Sequence, residues 1–518
     1  MLIHEYLEES AQRYPEKSAL IFQNNHYTYH DVDRGANRLS QAFLKAGLCR
    51  QDRIAIFLDP CPEAVISIFA SLKASGIFTV INPQVRPEKT QYLLNDCQAK
   101  ILVTDYNHYK ELSPVLMDCP ELKTVVLSDV ENSKNIDNSN TRHDIICYKE
   151  IQAKHSPQKP RNQNIDIDLA SLIYTSGSTG FPKAVMCTHL NMNSAVMSIT
   201  SYLENIPDDI ILNVLPLSFD YGLYQILMAF RFGGTVVLEK AFIYPYQIIE
   251  LIQKERVTGF PVVPTIVAIL LRLKSLNSYD FSSLRYITNT AQALPTSHIK
   301  KLRTIFPGVK IYSMYGLTEC KRVSYLPPEE LEKRPASVGK AMPNSEAYIV
   351  DERGKKITEP GIAGELVVRG ANVMKGYWNQ PGESEKVFRP GPLPGESVLY
   401  TGDLFKMDEE GYLYFISRKD DILKISGEKV SPKEIENVLY KNENIAEAAV
   451  VGIADEILGQ AAKAFVVLKR GADLTSKEII KYCSQQLESF MVPKYVVIME
   501  ELPKTDHGKI DKKSLARQ

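Results

Sequence analysis

Three features of the sequence predict an α/β protein with a large N-terminal domain of mixed, mostly parallel sheets and helices. Short apolar runs alternate with helical stretches through the first part of the chain. Near residue 340 the pattern changes to strand signals punctuated by Gly and Pro, as expected of a β-rich subdomain. After residue 420 a separate strand-and-helix pattern predicts a small, mobile α+β C-terminal domain. A chain of 518 residues is also too long for one core. The boundaries read as 1–418 for the N-terminal domain, 419–421 for a hinge and 422–518 for the C-terminal domain.

The elements follow in order. Residues 3–12 carry Ile3, Leu7 and Ala11 at helical spacing. Arg53–Leu58 is an apolar run with charged edges, Glu63–Ala74 reads as a helix, and Phe78–Ile81, Ile101–Thr104 and Thr124–Leu127 read as further strands. This alternation builds a parallel sheet covered by helices. Residues 131–165 are polar and rich in Asn and Lys, and predict an exposed, mobile loop. Ala347–Asp351, Gly364–Arg369 and Tyr412–Ser417 read as strands. Ser431, Pro432 and Glu434 form a helix start, with Ser as cap and Pro at the first helical position.

Composition excludes several classes. The formal net charge is -1 and the basic residues are dispersed, so neither nucleic acid nor an anionic membrane is expected as partner. The eight cysteines form no CxxC pair, which argues against zinc and dithiol chemistry and fits reduced thiols in the cytoplasm. The N-terminus lacks a secretory pattern, and no apolar run is long enough to span a bilayer.

The most informative segment is Tyr174–Lys183, YTSGSTGFPK. The strand Ser171–Thr175 runs into a loop whose small residues Gly177 and Gly180 let backbone N–H groups approach an anion. The hydroxyls of Thr175, Ser176, Ser178 and Thr179 add donors, and Lys183 adds a positive charge. Together these suit a polyphosphate. No Gly-Lys-Ser/Thr closes the loop, so it is not a Walker loop.

YTSGSTGFPK resembles the phosphate-loop signature of the acyl-adenylate-forming (AMP-binding) superfamily of acyl-CoA synthetases, nonribosomal peptide adenylation domains and firefly luciferase. Further segments match in the same order over nearly the whole chain. YGLTE contains Tyr315, Thr318 and Glu319. The resemblance implies that these stack on adenine, contact the α-phosphate and hold Mg2+, roles that suit a flat ring, a hydroxyl and a hard oxygen. In YTGD it implies that Asp403 binds the ribose hydroxyls. In Ser417–Glu436 it implies that Arg418 reaches the ribose or phosphates, Asp420 is the hinge residue and Gly427 lines a tunnel for the pantetheine thiol. Ser417 and Ser426 stand where the family usually has Gly, or Gly or Arg. In PKTDHGKID it implies that Lys509 is the catalytic lysine. A cation and Mg2+ there would offset the repulsion between a carboxylate and ATP.

The implied reaction makes acyl-AMP and pyrophosphate from ATP and a carboxylic acid. Rotation about Asp420 then withdraws Lys509 and presents the Gly427 face for thiol attack.

Leu215–Gln225, LPLSFDYGLYQ, should follow a strand and open a helix along the acyl pocket. Asp220 stands where amino-acid-activating members carry the Asp that binds the substrate ammonium. A bare carboxylate beside an apolar chain would be costly, which favours an amino acid substrate; a helix cap or an ion pair with a protein cation is the alternative. Motif alignment adds Tyr221, Tyr224, Pro261, Ile287, Asn289, Met314, Arg322 and Val323 to the pocket. The run Glu319–Arg322 looks like that of stand-alone ligases loading amino acids, some β-amino or acidic, onto carrier proteins. Arg322 could hold a second substrate carboxylate or make a structural ion pair with Asp220 or a nearby acid. The stretch Ile287–Pro295 departs from the family's Gly-rich version. No phosphopantetheine attachment site follows the last motif, so the thiol is expected in trans, from a separate carrier protein or, as the alternative, from CoA. An inactive nucleotide-binding scaffold is disfavoured by the presence of Lys183, Glu319, Asp403, Arg418 and Lys509, and nothing signals luciferase-like oxidation.

Overall fold

The computed structural model describes residues 1–132, 136, 141–175, 182–274, 276–290, 294, 296–425, 428–455, 459–505 and 509–517. Two helix-covered, mostly parallel sheets form the large N-terminal part. The nine-stranded sheet has the spatial order Lys340–Ala341, Ser324–Leu326, Lys310–Tyr315, Tyr286–Asn289, Gly259–Val262, Ile210–Asn213, Thr235–Leu238, Ser18–Phe22 and Asn25–Thr28. Its interior pairs are parallel, and antiparallel strands close both edges. The seven-stranded sheet runs Asp144–Cys147, Thr124–Leu127, Ala99–Thr104, Arg53–Phe57, Ile77–Val80, Leu169–Thr175 and Lys183–Thr188. All its pairs are parallel except the last.

These strands read as continuous apolar runs because helices bury both sheet faces. Helices Tyr29–Lys45 and Pro62–Lys73 pack on one another and supply Leu39, Phe43, Ile68 and Phe69 to the main core. Thr28 starts the first of these helices with a reciprocal cap, its hydroxyl accepting from the Asp31 N–H while the Asp31 carboxylate accepts from the Thr28 N–H. Lys73, almost fully buried, is neutralised by Glu8 and Asp33 at 2.9 and 2.8 Å.

A five-stranded antiparallel sheet follows, built from Ser345–Val350, Gly364–Gly370, Phe388–Pro390, Ser397–Met407 and Leu413–Arg418. The smaller C-terminal domain holds a second five-stranded sheet: Leu423–Ile425, Glu428–Val430, Ile445–Asp455, Gly459–Leu468 and Tyr495–Met499. Its helix Pro432–Lys441 begins as the sequence suggests, with the Ser431 hydroxyl accepting from the Lys433 N–H. The same hydroxyl donates to the Ile416 carbonyl at 2.7 Å, tying the two parts together beside the short 3-10 turn Lys419–Asp421.

One sequence expectation is corrected. Residues 131–165 were expected as an exposed mobile loop, but Asp144–Cys147 is the edge strand of the seven-stranded sheet and Tyr148–Lys154 is a helix. Cys147, Tyr148 and Ile151 are buried. A polar average hid a few apolar residues at the right spacing. Downstream, Asn162 donates to the Leu72 carbonyl at 2.8 Å and Ser75 accepts from the Gln163 N–H, which pins the remaining coil. Residues 133–135 and 137–140 of that stretch lie outside the described residues.

All eight cysteines are free. Among the described residues no helix is long and apolar enough to cross a membrane.

Candidate active site

The strands of both large sheets deliver the candidate residues at their carboxyl ends, where open α/β sheets place ligands. Leu169–Thr175 ends at the Ser- and Gly-rich loop, and Lys183 opens the antiparallel return strand. Ser176, Gly177, Ser178, Thr179 and Gly180 lie outside the described residues. Lys183 forms an ion pair with Glu383 and sits 5.4 Å from the Tyr377 ring centroid.

The YGLTE segment is the connection between the antiparallel strands Lys310–Tyr315 and Ser324–Leu326. The Lys321 N–H donates to the Leu317 carbonyl at 2.7 Å and the Val323 N–H to the Tyr315 carbonyl at 2.9 Å. This turn needs Gly316, because a Cβ there would lie 2.4 Å from the Lys321 carbonyl oxygen. Thr318 and Glu319 are half-buried on it. One oxygen of Glu319 accepts from the Tyr377 hydroxyl at 2.8 Å. Among the described residues no cluster of three or more His, Cys, Asp or Glu could hold a metal ion. A lone half-buried carboxylate fits Mg2+, which keeps waters and substrate phosphates as its other ligands.

Tyr315 packs edge-on against Phe405, centroids 4.8 Å apart, and its hydroxyl donates to Asp403 at 2.5 Å. Asp403 and Arg418 are directly opposite each other in the hairpin Ser397–Met407/Leu413–Arg418, and Arg418 Nε donates to Asp403 at 3.2 Å. Gly402, at φ +72°, bends the strand at this point. Burial pushes the Asp403 carboxyl up, with Arg418 and the Tyr315 hydroxyl pulling it back. Tyr315 and Arg418 occupy part of its acceptor capacity, and lone pairs remain for other donors.

Lys509 comes from the C-terminal domain. Lys504 and Ile510 bridge antiparallel, and the Thr505 N–H donates to the Lys509 carbonyl at 2.7 Å. The Lys509 ammonium lies 5.6 Å from the Phe219 ring centroid. Burial lowers its pKa; Asp220, Glu319 and Asp403 act in the opposite sense and Arg418 adds to the lowering. One lysine from the small domain thus shares its field with residues of both halves of the candidate site. Of the other C-terminal candidates, Asp420 falls in the Lys419–Asp421 turn, and Gly427 lies outside the described residues.

On the acyl side, the strand Ile210–Asn213 leads into the helix Asp220–Phe232. The connection folds tightly over the helix start: a Cβ on Gly222 would lie 2.4 Å from the Pro216 carbonyl oxygen, and Asn213 donates to the Gly222 carbonyl at 3.2 Å. Asp220 is the first helical residue; Phe219, not Asp220, is the cap position. The Asp220 carboxylate is 8% exposed and, among the described residues, accepts only the adjoining Tyr221 N–H, at 3.0 Å. Desolvation pushes its pKa up, and Lys321, Arg322 and Lys509 pull it back. Among the described residues no ion pair joins it to a cation.

Arg322 is also buried. It donates to the Thr290 hydroxyl, lies 5.3 Å from the Tyr221 ring centroid and leaves Nε without a hydrogen bond. Among the described residues Arg322 makes no structural ion pair with Asp220 or a nearby acid, the alternative to holding a substrate carboxylate. Lys321 turns away, at φ +66°, towards the Cys187 sulfur at 2.8 Å and the Thr318 carbonyl at 2.6 Å. Tyr224 is buried with its hydroxyl unpartnered among the described residues, whereas the Tyr221 hydroxyl bonds to Thr288 at 2.6 Å. Alternation along Tyr286–Asn289 turns Ile287 and Asn289 to the face opposite Thr288 and Tyr221. Met314 stays on the Tyr221 side, with the Tyr202 hydroxyl bonded to its sulfur at 3.0 Å. The register pairs Pro261 with Thr288. The pocket residues inferred from the motifs therefore come from both faces of the sheet, with Pro261 and Met314 on the Thr288 face. Val323 is buried where the turn re-enters the sheet.

Sequence reasoning missed Tyr377 and Glu383, the partners of Glu319 and Lys183, and Thr288 and Thr290, the partners of Tyr221 and Arg322. Glu383 reads as an ordinary first-turn helix acid after Pro381. The two threonines sit in the stretch whose departure from the Gly-rich pattern was the available signal.

Comparison with known proteins agrees with this geometry. Residues 7–378 match the family model for AMP-binding enzymes, and residues 434–509 match that for the AMP-binding enzyme C-terminal domain. The chain belongs to the AMP-binding enzyme family, and as such it forms acyl-AMP from ATP, with Mg2+ as the accompanying ion. It is 32% identical to the long-chain-fatty-acid–CoA ligase of Bacillus subtilis (strain 168), over 99% of this chain and 93% of that protein. It is 29% identical to tyrocidine synthase 1 of Brevibacillus parabrevis, over 99% of this chain but 44% of that protein. Among solved structures it resembles the anthranilate CoA ligase AuaEII in complex with anthranoyl-AMP, with a TM-score of 0.89 and 25% identity over 99% of this chain and 96% of that one. The chain is thus an AMP-forming acid–thiol ligase.

Proposed function

We propose that this enzyme activates a compact polar acid carrying an amino group and transfers its acyl group to the thiol of CoA. The observation that carries the choice of acid is Asp220, a buried carboxylate with no ion pair among the described residues, beside the Tyr224 hydroxyl and Arg322 Nε, which have no hydrogen-bond partner among them either. A long alkyl chain would leave all three unpaired in a dry site, at about 1–3 kcal/mol for each unsatisfied group and more for the charges. An ammonium at Asp220 and a hydrogen-bonding group at Arg322 and Tyr224 would satisfy them. Support for CoA comes from the similarity to a fatty-acid–CoA ligase, 32% identical over 99% of this chain. The similarity to an anthranilate CoA ligase supports combining an amine-bearing acid with CoA.

In this reading the residues divide as follows. Thr175 to Gly180 and Lys183 hold the phosphates, Thr318 contacts the α-phosphate and Glu319 holds Mg2+. Tyr315 supports adenine while Asp403 and Arg418 hold the ribose. Lys509 draws the substrate carboxylate and ATP together. Residues 419–421 are the hinge, and rotation about Asp420 brings the Gly427 face to the adenylate. A phosphopantetheinyl carrier protein in trans is a second reading, favoured by Asp220 and the resemblance to an amino-acid-activating synthase.

The test supplies ATP, a panel of acids and either CoA or a pantetheinylated carrier, and identifies the thioester by mass spectrometry. An amine-bearing acyl-CoA supports the proposal. Fatty acyl-CoA alone sinks the choice of acid, and thioester on the carrier alone replaces CoA by the second reading.

A further inference from the structure

One segment touches both candidate nucleotide-binding charges. Residues 375–378 run antiparallel beside the strand Lys183–Thr188: the Met186 N–H donates to the Gly376 carbonyl at 2.9 Å, and the Trp378 N–H to the Ala184 carbonyl at 2.9 Å. Trp378 Nε1 anchors the segment by donating to the Asp96 carbonyl at 3.0 Å. The chain then enters the short helix Pro381–Val387, and the Ser384 hydroxyl accepts from the Tyr377 N–H at 2.9 Å, fixing the helix to the strap. This places Tyr377 on Glu319 and Glu383 on Lys183 together. Glu383 is shared between two lysines, Lys183 and the more exposed Lys386. Those contacts hold its carboxyl below the usual range, with the Lys183 bond the largest cause.

We propose that Glu383 is an internal anion that competes with the β- and γ-phosphates of ATP for Lys183, and so sets the affinity for the nucleotide. The inference rests on Lys183 being a phosphate-binding lysine, as read above. A carboxylate on that ammonium neutralises it while the site is empty of nucleotide. It must release the lysine before the triphosphate can take it, which lowers the apparent affinity by the fraction of molecules in which Lys183 is free. The adenosine and α-phosphate contacts of Asp403 and Thr318 do not involve Glu383. The competition is therefore specific to the outer phosphates, and ATP is penalised where AMP is not. Lys386 tempers the effect by drawing the same carboxylate outward.

The experiment is calorimetric titration of the full-length protein with MgATP and, separately, with AMP. Glu383→Gln keeps the shape and removes the charge. MgATP binding should tighten about three- to tenfold while AMP binding stays the same. Lys386→Gln leaves Glu383 wholly to Lys183 and should weaken MgATP binding about twofold with AMP binding unchanged, whereas the tightening in Glu383→Gln is of a sign that unfolding cannot mimic. Lys183→Gln should weaken MgATP binding, and Glu383→Gln added to it should restore nothing. Unchanged or weaker MgATP binding in Glu383→Gln, with Lys183→Gln still impaired, overturns the competition alone. Equal tightening for AMP and MgATP overturns it as well. Unchanged MgATP binding in Lys183→Gln instead removes the phosphate reading of Lys183 on which it rests.

Discussion

Asp220→Asn separates binding from stability. The substitution keeps shape and volume and removes one buried charge. A carboxylate and an ammonium about 4 Å apart attract by about 4 kcal/mol at an effective dielectric of 20. Truncating one partner of such a desolvated pair costs about 2–4 kcal/mol, so KM for an amine-bearing acid should rise about 30- to 700-fold, with little change in KM for ATP. Stability should move the other way. Burial raises the Asp220 pKa in the folded protein despite Lys321, Arg322 and Lys509. The folded state therefore holds this proton more tightly than the unfolded chain, and the residue becomes destabilising as pH rises through its folded pKa. The asparagine variant should match the wild type in acid and exceed it at pH 7. Pyrophosphate exchange gives the first quantity and urea unfolding at two pH values the second. An unchanged KM for amine-bearing acids, or a variant less stable than wild type at neutral pH, would refute the reasoning.

Other consequences can be checked separately. Lys509→Ala should slow adenylation about 100- to 1000-fold while thiol transfer from a supplied acyl-adenylate stays within a few-fold of wild type; loss of both half-reactions together contradicts its assigned role. Arg322→Ala should raise KM about 10- to 100-fold for an acid with an acceptor in its side chain and little for one without, and Lys should not rescue it, because the guanidinium lies against Tyr221. Equal effects on both acids would make Arg322 a structural residue. His4 and His189 are buried and held neutral, with pKa values lowered by desolvation to about 3 and about 4. Between pH 6.5 and those values the unfolded chain takes up protons the folded one does not, so each ring removes about 2 kcal/mol by pH 5. His4→Phe should lessen the loss of urea stability between pH 7 and pH 5; parallel curves for variant and wild type would count against this.

The sequence made the candidate nucleotide site legible because its parts are local. YGLTE is a tight turn whose glycine is required by the close approach of Lys321, and YTGD is a bent strand whose Asp pairs directly across a hairpin with Arg418. Short strings could carry those signals. The acyl pocket was less legible because it depends on which way each side chain points. Alternation separates Asn289 from Thr288, and a left-handed residue turns Lys321 away from Arg322. Adjacent letters gave no hint of either. Contacts made across long sequence separations, such as Lys183 with Glu383 and Glu319 with Tyr377, have no local pattern at all. The edge strand Asp144–Cys147 was lost inside a polar stretch because a handful of residues packs on the core there.

The most direct test of the account is ATP–pyrophosphate exchange by the wild-type enzyme with acids in matched pairs, each amine-bearing acid beside its counterpart without the amine. Exchange that is strong with an amine-bearing acid and at least tenfold weaker with its counterpart, the ~1.4 kcal/mol expected of even a modest buried charge pair, is the predicted result. Exchange confined to acids without an amine would contradict the reading of Asp220 and leave an AMP-forming ligase for a different class of acid.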